Sequence, residues 1–241
     1  LLANAEMKDG VACNKSTGRR FAACVPMHTF GHPCRIDEIA EVCVEFGIPL
    51  VEDAAESLGS YYKGKHTGGF GLLGAISFNG NKIITTGGGG MIVTDDEALA
   101  KKAKHLTTQA KSDPLNFKHD EVGYNYRLTN MQAALGLAQM EQLEGFITIK
   151  QRNYDTYQKL LAAVSYVSLL PFRKGIRTNC WFYSLYLEDG FPLTRDELIA
   201  AFAARNIQAR PIWGLICDQL PYLGFEQYQI ETARRYEKRV V

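Results

Sequence analysis

Short apolar segments flank one amphipathic stretch near the start of the chain. Residues 21–25 (FAACV) are all apolar and are followed by a proline, which is typical of a buried strand. In residues 36–46 the apolar positions recur at helical spacing, and Gly47 follows where a helix commonly ends. Residues 48–51 form a second apolar segment. Together these segments predict a strand, a helix and a strand, which is the βαβ unit of a parallel sheet.

A glycine-rich stretch and a second set of strands come next. Residues 58–74 are rich in glycine and tyrosine and lack a helical period, so we expect a loop that could contain a hairpin. The pattern then predicts short strands at residues 75–78 and 90–94. Thr94 and Glu97 have the spacing of a capping box, in which each side chain binds the main-chain N–H of the other residue. They predict the start of a helix of about three turns.

A long helical pattern runs through residues 129–163. At ~1.5 Å rise per residue, a single helix would span about 50 Å, which is longer than an ordinary crossover between strands. Such a helix typically connects a large domain to a small one. We therefore predict part of a large domain at 1–128, a connecting helix at 129–163, and a small, incomplete domain at 164–241.

The last part of the chain has a different pattern. Residues 180–188 (CWFYSLYLE) predict a strand rich in aromatic side chains, whose default role is core packing. Thr194 and Glu197 form a second capping-box pattern and predict a helix that ends near Arg205. Residues 207–213 predict an edge strand, because their proline has no N–H to donate to a neighbour. These elements predict a small α+β unit.

Composition excludes several classes of protein. The 241 residues are 46% hydrophobic and 22% charged, which argues against a disordered chain or a coiled coil. The net charge of +1 gives no overall attraction to nucleic acid or to a membrane, and no apolar run approaches the ~20 residues of a membrane span. The six cysteines form no C-x-x-C pair and no zinc-binding pattern, so we expect reduced thiols and a cytoplasmic protein.

The two ends of the sequence suggest a fragment. The chain begins with Leu-Leu-Ala instead of methionine, and it stops at Val241 within what resembles an amphipathic helix. At ~150 residues per domain, 241 residues correspond to about one and a half domains. We therefore expect the middle of a longer, two-domain protein.

Two glycine patterns resemble nucleotide-binding motifs but have the wrong context. Gly69, Gly71 and Gly74 satisfy G-x-G-x-x-G, whose mechanism needs a preceding strand and a following helix. Here the glycines follow a predicted loop and lead into a predicted strand, which favours a turn over a dinucleotide site. The run 87–90 lacks the Lys-Ser/Thr of a phosphate-binding P-loop, and we interpret it as tight backbone geometry.

A separated acid and amine form a stronger candidate site. Asp53 ends a buried strand, and Lys82 lies just after the strand that ends at Phe78. In open α/β sheets, ligands bind beyond the carboxyl ends of the strands, so both side chains can face one pocket. Together with Ser77 and Asn79, they match what pyridoxal 5'-phosphate (PLP) needs: an amine for a covalent bond, an acid for the ring nitrogen, and donors for the phosphate.

The sequence also resembles the DegT/DnrJ/EryC1/StrS family of PLP-dependent sugar aminotransferases. The resemblance extends over essentially the whole chain and rests on an ordered set of motifs. The motifs are VPMHTFGH (25–32), EDAAESLG (52–59), ISFNGNK (76–82), TTGGGGMIVT (85–94) and GYNYRLTNMQAALG (123–136).

The resemblance implies a fold and an activity. The fold would be the aspartate aminotransferase type (fold type I): an α/β protein with a three-layer, mostly parallel central sheet, helices on both faces and a small C-terminal α+β domain. The reaction would move an amino group, with glutamate as donor, to a nucleotide-linked 4-keto-6-deoxy sugar used in surface glycans. Active sites would be shared between the two chains of a homodimer.

The resemblance also implies roles for individual residues. Lys82 would bind PLP covalently and then carry the proton between the two reacting carbons, while Asp53 would bind the ring nitrogen. Ser77 would bind the phosphate, and Asn125 would reach the phosphate of the neighbouring chain. Glu56 stands where many members have glutamine beside the ring, which puts its role in doubt.

Three further residues are candidates for substrate binding: Arg127, Arg210 and Trp213. His28 and His32 lie close together, but without a third ligand at metal spacing we interpret them as a polar turn rather than a metal site. The family's N-terminal part, with a Gly-Thr loop for the phosphate and a residue that stacks on the ring, has no counterpart before Val25.

Several alternatives remain open. Relatives that dehydrate sugars replace the cofactor lysine with histidine, and position 82 is lysine, which favours transamination. A binding or regulatory protein could keep the fold and cofactor without turnover. A third hypothesis is a folded but inactive fragment.

Overall fold

The computed structural model describes residues 3–241, which form two compact units. The first consists of Leu1–Gln151 and Phe172–Trp181, and the second of Arg152–Pro171 and Phe182–Val241. The segment 172–181 thus packs with the first unit. The domain limits at residues 128 and 163 stay a prediction. Within residues 3–241, no helix combines the length and apolar character needed to cross a membrane.

A small mixed sheet organises the first unit. Its strands are β3 (Val51–Asp53), β6 (Leu73–Ser77) and β7 (Gly90–Val93), with β6 in the middle. β3 and β6 are parallel and β6 and β7 are antiparallel. The apolar segment 21–25 extends the sheet only through isolated parallel bridges, Cys24 to Leu50 and Met27 to Asp53. The predicted helix is confirmed as α1 (Ile36–Glu45), which connects this segment to β3.

Two of the three apolar clusters that stabilise the first unit within residues 3–241 involve the sheet and α1. One lies between the sheet and the first turns of a later helix, and the other lies under α1. Fully burying one large aliphatic or aromatic side chain contributes about 1.5–3 kcal/mol to folding. The first cluster consists of Ala54, Leu58, Ile76, Phe78, Ile84, Leu143 and Ile147. The second consists of Ile36, Cys43, Leu50 and Tyr62.

Short hairpins and helices complete the first unit. The expected hairpin within residues 58–74 is present and gains a third strand from the segment 172–181. The strands are β1 (Ala5–Lys8) with β2 (Val11–Asn14), β4 (Tyr61–Tyr62) with β5 (Lys65–His66) and β11 (Ile176–Arg177), and β8 (Lys111–Asp113) with β9 (Lys118–His119). The helices are α2 (Glu97–Thr107) and α3 (Asn130–Met140).

The glycine motif at residues 69–74 leads into a strand, as expected. Gly74 lies inside β6, and a Cβ atom there would overlap the main chain of Gly68. No helix follows these glycines before α2, so the geometry of a dinucleotide site is missing from this segment. Gly87 and Gly89 adopt positive φ values of 80°, which explains glycine at both positions.

The predicted capping box at Thr94 is wrong. The N-cap of α2 is Asp96, whose side chain accepts a hydrogen bond from Leu99 N–H. Thr94 instead donates to the Leu72 carbonyl and accepts from Asp96 N–H, so its hydroxyl is already occupied outside the helix. Sequence spacing alone could not distinguish the two caps, because both residue types are good N-caps.

The single long helix predicted for residues 129–163 is two helices, α3 and α4 (Leu143–Leu161). Gln142 N–H bonds to Gln139 C=O in the tighter 3₁₀ pattern, which interrupts the helical ladder. The two helices also differ in burial: α3 has no buried residue, whereas Leu143 and Ile147 of α4 enter the core. The break lets α4 turn its apolar side inward independently of α3.

The second unit is a small α+β structure. β10 (Val167–Leu169) pairs antiparallel with β12 (Leu185–Leu187). The predicted capping box of Thr194 and Glu197 is confirmed at the start of α5 (Arg195–Ala203). A last helix, α6 (Glu231–Glu237), precedes residues 239–241, whose main chain bonds to β12.

Three sequence predictions for this unit need correction. The strand expected at 180–188 is confined to β12. Residues 207–213 form no strand: Ile207 N–H donates to Phe202 C=O at the end of α5, Ile212 N–H donates to Val240 C=O, and the proline has no N–H to donate. Val241 does not lie in a helix, because α6 ends at Glu237 and the chain then extends along β12.

Candidate functional site

The candidate site lies at the carboxyl ends of β3 and β6. These strands are parallel, with Asp53 directly opposite Ala75, so Asp53 and Ser77 emerge at the same edge of the sheet. Asp53 Oδ1 accepts a hydrogen bond of 3.1 Å from Ala55 N–H, while Oδ2 has no hydrogen-bond partner within residues 3–241. Ser77 Oγ accepts from Asn79 N–H at 3.2 Å and keeps its hydroxyl proton for another acceptor.

Lys82 stands on a loop that folds back on the end of β6. The loop is closed by main-chain hydrogen bonds from Phe78 N–H to Gly89 C=O and from Thr86 N–H to Phe78 C=O, both 3.0 Å. Lys82 N–H donates to Asn79 C=O at 3.1 Å. The Lys82 side chain is 14% exposed, so its amine is sheltered yet still reachable from solvent.

A buried carboxylate lies beside the Lys82 amine. Lys82 Nζ is 3.6 Å from Glu56 Oε1, and the Glu56 side chain is 6% exposed. Glu56 Oε2 accepts a hydrogen bond of 2.7 Å from Phe30 N–H, which fixes the carboxylate plane. Glu56 follows Asp53 by three residues, so the end of β3 and the turn after it carry two carboxylates, of which Glu56 lies beside the Lys82 amine.

Sequence reasoning missed the aromatic side of this site. The indole ring of Trp181 lies over the Lys82 amine, with Nζ 4.3 Å from the ring centroid. We expected the aromatic residues of 180–183 to be strand and core residues. Trp181 is 2% exposed, as a core residue would be, but it packs in a loop against a charged group. No local pattern signals this contact, since Trp181 is 99 positions from Lys82 in sequence.

Beneath the site, Glu52 and His28 form a buried network. Glu52 Oε2 is 3.0 Å from His28 Nε2 and 2.7 Å from Gly68 N, while Glu52 Oε1 accepts from Phe70 and Gly71 N–H at 2.5 and 2.7 Å. Burial opposes ionisation of Glu52, but these four donors outweigh it and hold the pKa of the carboxyl below its usual value.

The two histidines considered as a metal pair have other surroundings. His28 Nδ1 accepts a hydrogen bond from Cys34 N–H, so its other nitrogen carries the proton that Glu52 accepts. His32 packs against the ring of Phe172, with centroids 4.6 Å apart, and burial together with Arg173 lowers its pKa to about 4. Both rings are therefore parts of the packing around the site.

The remaining predicted site residues can be described by their exposure and local contacts. Asn125 and Arg127 are exposed, and within the described part of the chain the Asn125 side chain bonds to Arg127 Nε at 3.2 Å. The rings of Tyr124 and Tyr126, on either side of Asn125, stack 5.0 Å apart. The two candidates in the second unit, Arg210 and Trp213, are both exposed. The roles assigned to all of these residues stay predictions.

Comparison with known proteins matches the chain to a family. The model of the DegT/DnrJ/EryC1/StrS aminotransferase family matches residues 10–241. The chain is 40% identical over 199 residues to EpsN of Bacillus subtilis, which is assigned as a PLP-dependent aminotransferase, covering 83% of this chain and 51% of EpsN. It is 37% identical over 215 residues to GDP-perosamine synthase of Caulobacter vibrioides, covering 89% of this chain and 58% of the synthase.

A solved structure agrees with this assignment. The crystal structure of DesI with its TDP-sugar product matches with a TM-score of 0.83 and 26% identity, covering 92% of this chain and 56% of DesI. The predicted fold class, fold type I of the PLP-dependent enzymes, is thereby confirmed. The chain spans about half the length of the curated relatives it matches. It belongs to the DegT/DnrJ/EryC1/StrS aminotransferase family.

Proposed function

We propose that this chain is the part of a PLP-dependent sugar aminotransferase that binds the reactive half of the cofactor. The main support is the juxtaposition of the Lys82 amine with Glu56, next to the strand ends that carry Asp53 and Ser77. PLP requires an amine, a carboxylate and a hydroxyl donor. Lys82 offers a sheltered amine, Asp53 a carboxylate oxygen and Ser77 a hydroxyl proton.

The available atoms fit the cofactor. Asp53 Oδ2 can accept from a protonated ring nitrogen, since within residues 3–241 it accepts no hydrogen bond. The Ser77 hydroxyl can donate to a phosphate oxygen, because its described bond uses the oxygen as acceptor. Lys82 is the amine at this sheet edge, and its 14% exposure leaves it accessible to an aldehyde.

Each residue then has a chemical task. When bound, PLP supplies an electron-withdrawing ring next to the carbon that exchanges the amino group. Asp53 keeps the ring nitrogen protonated through its negative charge. The Lys82 amine accepts and returns a proton at Nζ, and the Glu56 carboxylate, fixed by Phe30 N–H, holds that amine on one side.

The names of the relatives support the substrate class. GDP-perosamine synthase and DesI with its TDP-sugar product both concern nucleotide-linked sugars. We therefore propose a nucleotide-linked keto deoxy sugar as amino acceptor and glutamate as donor. We further propose a homodimer in which Asn125 reaches the partner's cofactor phosphate, and Arg127, Arg210 and Trp213 contact substrate. A cytoplasmic location stays a prediction.

Lys82→Ala tests the cofactor assignment. We expect the chain to take up PLP with a visible absorption band and a mass increase after borohydride reduction, and Lys82→Ala to lose both. Lys101→Ala is the matched control, because Lys101 is 74% exposed and pairs with Glu97 on α2. Equal covalent labelling of Lys82→Ala and the unmodified chain would contradict the proposal.

Turnover distinguishes an aminotransferase from a protein that only binds PLP. Adding glutamate to the PLP-loaded chain should replace the visible band by that of the amino form of the cofactor, with release of 2-oxoglutarate. A stable band with no 2-oxoglutarate would instead favour a non-catalytic or inactive PLP-binding protein. Sugar dehydration is disfavoured, because position 82 is lysine rather than histidine.

A further inference from the structure

The Lys82 amine has a second neighbour, which is an uncharged aromatic ring where Glu56 is a carboxylate. Trp181 presents its ring face at 4.3 Å from Nζ. The negative face of an indole attracts an ammonium group, and the attraction grows when water is excluded. Since Trp181 is 2% exposed and the Lys82 side chain 14% exposed, this contact is largely shielded.

Trp181 is itself held at several points. Its indole N–H donates to Asn81 C=O at 2.7 Å, so the ring is tied to the residue just before Lys82. Its carbonyl accepts from Lys150 Nζ at 3.0 Å. Its main-chain N–H donates to Asn179 Oδ1, also at 3.0 Å. These contacts fix both the plane and the position of the ring.

The same asparagine is bonded to the other neighbour of Lys82. Asn179 Nδ2 donates to Glu56 C=O at 2.8 Å and to Leu58 C=O at 3.0 Å. Asn179 is fully buried, and a Cβ on Gly31 would overlap its amide oxygen. One amide therefore joins the main chains of Glu56 and Trp181, the two groups that flank the amine.

We propose that Trp181 is a positioning residue for Lys82 and that Asn179 sets the spacing between Trp181 and Glu56. A lysine side chain has four rotatable bonds, and a free amine would sample many directions. Ring and carboxylate together restrict it to the slot between them. The catalytic meaning of this slot rests on the proposed function, but the restraint itself belongs to the cofactor-free chain.

The first test measures access to the amine without PLP. The chain is treated with cyanate, and carbamylation of Lys82 is followed by mass spectrometry. We expect Trp181→Leu to raise the Lys82 rate about threefold or more, because no ring then retains the charged amine. Trp181→Phe, which keeps a ring, should stay within about twofold of the unmodified chain. Lys101 provides an internal reference.

Equal Lys82 rates in the unmodified chain, Trp181→Leu and Trp181→Phe would overturn the role of Trp181. Because this measurement needs no PLP, it can succeed even if PLP binding fails, which separates the two proposals. Circular dichroism of each variant establishes that the compared chains are folded. If Trp181→Leu does not fold, a second, spectroscopic readout that keeps Trp181 replaces it.

That readout uses the tryptophan itself. The sequence has two tryptophans, Trp181 and Trp213, so Trp213→Phe leaves Trp181 as the single emitter. In this background, Lys82→Met should change the Trp181 emission intensity, because the cation leaves the ring face. Asn179→Asp keeps the acceptor for Trp181 N–H but loses both donors to Glu56 and Leu58, and it should weaken the Lys82-dependent change. An unchanged emission in Lys82→Met would overturn the contact between Trp181 and Lys82. If Asn179→Asp left the Lys82-dependent change in emission as it was, the spacing role of Asn179 would be overturned.

Discussion

At the scale of single residues, Glu52 explains how a buried charge can stabilise the sheet edge that carries the site. Its two carboxylate oxygens each receive two donors: His28 and Gly68 on Oε2, Phe70 and Gly71 on Oε1. A buried carboxylate is costly unless its oxygens are hydrogen-bonded, and here all four donors come from within the first unit. Glu52 thus anchors the loop of residues 68–71 to β3, one residue before Asp53.

Glu52→Gln should therefore destabilise the chain by about 2–4 kcal/mol at pH 7. Whichever way the amide is turned, its NH₂ group replaces an oxygen that accepted two hydrogen bonds. That NH₂ group then faces two N–H donors and can accept from neither. The pKa of Glu52 is held below the usual value of a carboxyl group. Its stabilisation is therefore fully present above that usual value and is lost as pH falls through the lowered pKa. Urea unfolding from pH 7 to pH 3 measures the difference, which should shrink on acidification. A difference that grows instead would contradict this account.

Single residues also show what the sequence can and cannot predict about the site. Asp53, Ser77 and Lys82 could be proposed because parallel strands bring their carboxyl ends together, whatever the details of the loops. Glu56 was proposed from the family resemblance; it lies 3.6 Å from the Lys82 amine, and its role toward a cofactor stays a prediction. Trp181 and Asn179 could not be found, because their contacts depend on how the segment 172–181 returns to the first unit.

At the scale of elements, Gly74 in a strand and Gly145 in a helix differ in the space available for a side chain. Gly74 lies in β6, where a Cβ would overlap the Gly68 main chain, which cannot move aside easily. Gly74→Ala should therefore cost about 1–3 kcal/mol or more of the free energy of unfolding. Gly145 lies exposed in α4 with open space around its Cα, so Gly145→Ala should gain about 0.5–1 kcal/mol.

Thermal unfolding of both alanine variants, monitored by circular dichroism, measures these opposite shifts. A stabilising Gly74→Ala would mean that β6 and the main chain of Gly68 are not packed as described. The same contrast shows the limits of element prediction. α1 and α5 were predicted because amphipathic spacing and caps are local signals, whereas the break between α3 and α4 depends on which residues reach the core.

At the scale of the molecule, the segment 172–181 matters most for how the site is built. It follows the second unit's residues 152–171, adds β11 to the β4–β5 hairpin, and then brings Asn179 to the turn after β3 that carries Glu56. Arg177 pairs with Glu144 on α4, and Thr178 donates to Gly31 C=O at 3.0 Å. A segment that packs with a distant part of the chain in this way carries no periodic pattern of apolar residues. The sequence therefore indicates the fold class but not where this segment packs.

The proposed sharing of sites between two chains predicts complementation. Lys82→Ala should lack the covalent link, and Asn125→Asp should repel the partner's phosphate through its added charge. In a homodimer with shared sites, mixed subunits place both defects in one site and leave the other site intact. Unfolding and refolding an equal mixture should therefore restore about one quarter of the reducible PLP labelling, since about half the dimers are mixed. Each variant refolded alone provides the baseline, and a mixture that labels no better than the average of the two would show that Asn125 does not act across a dimer.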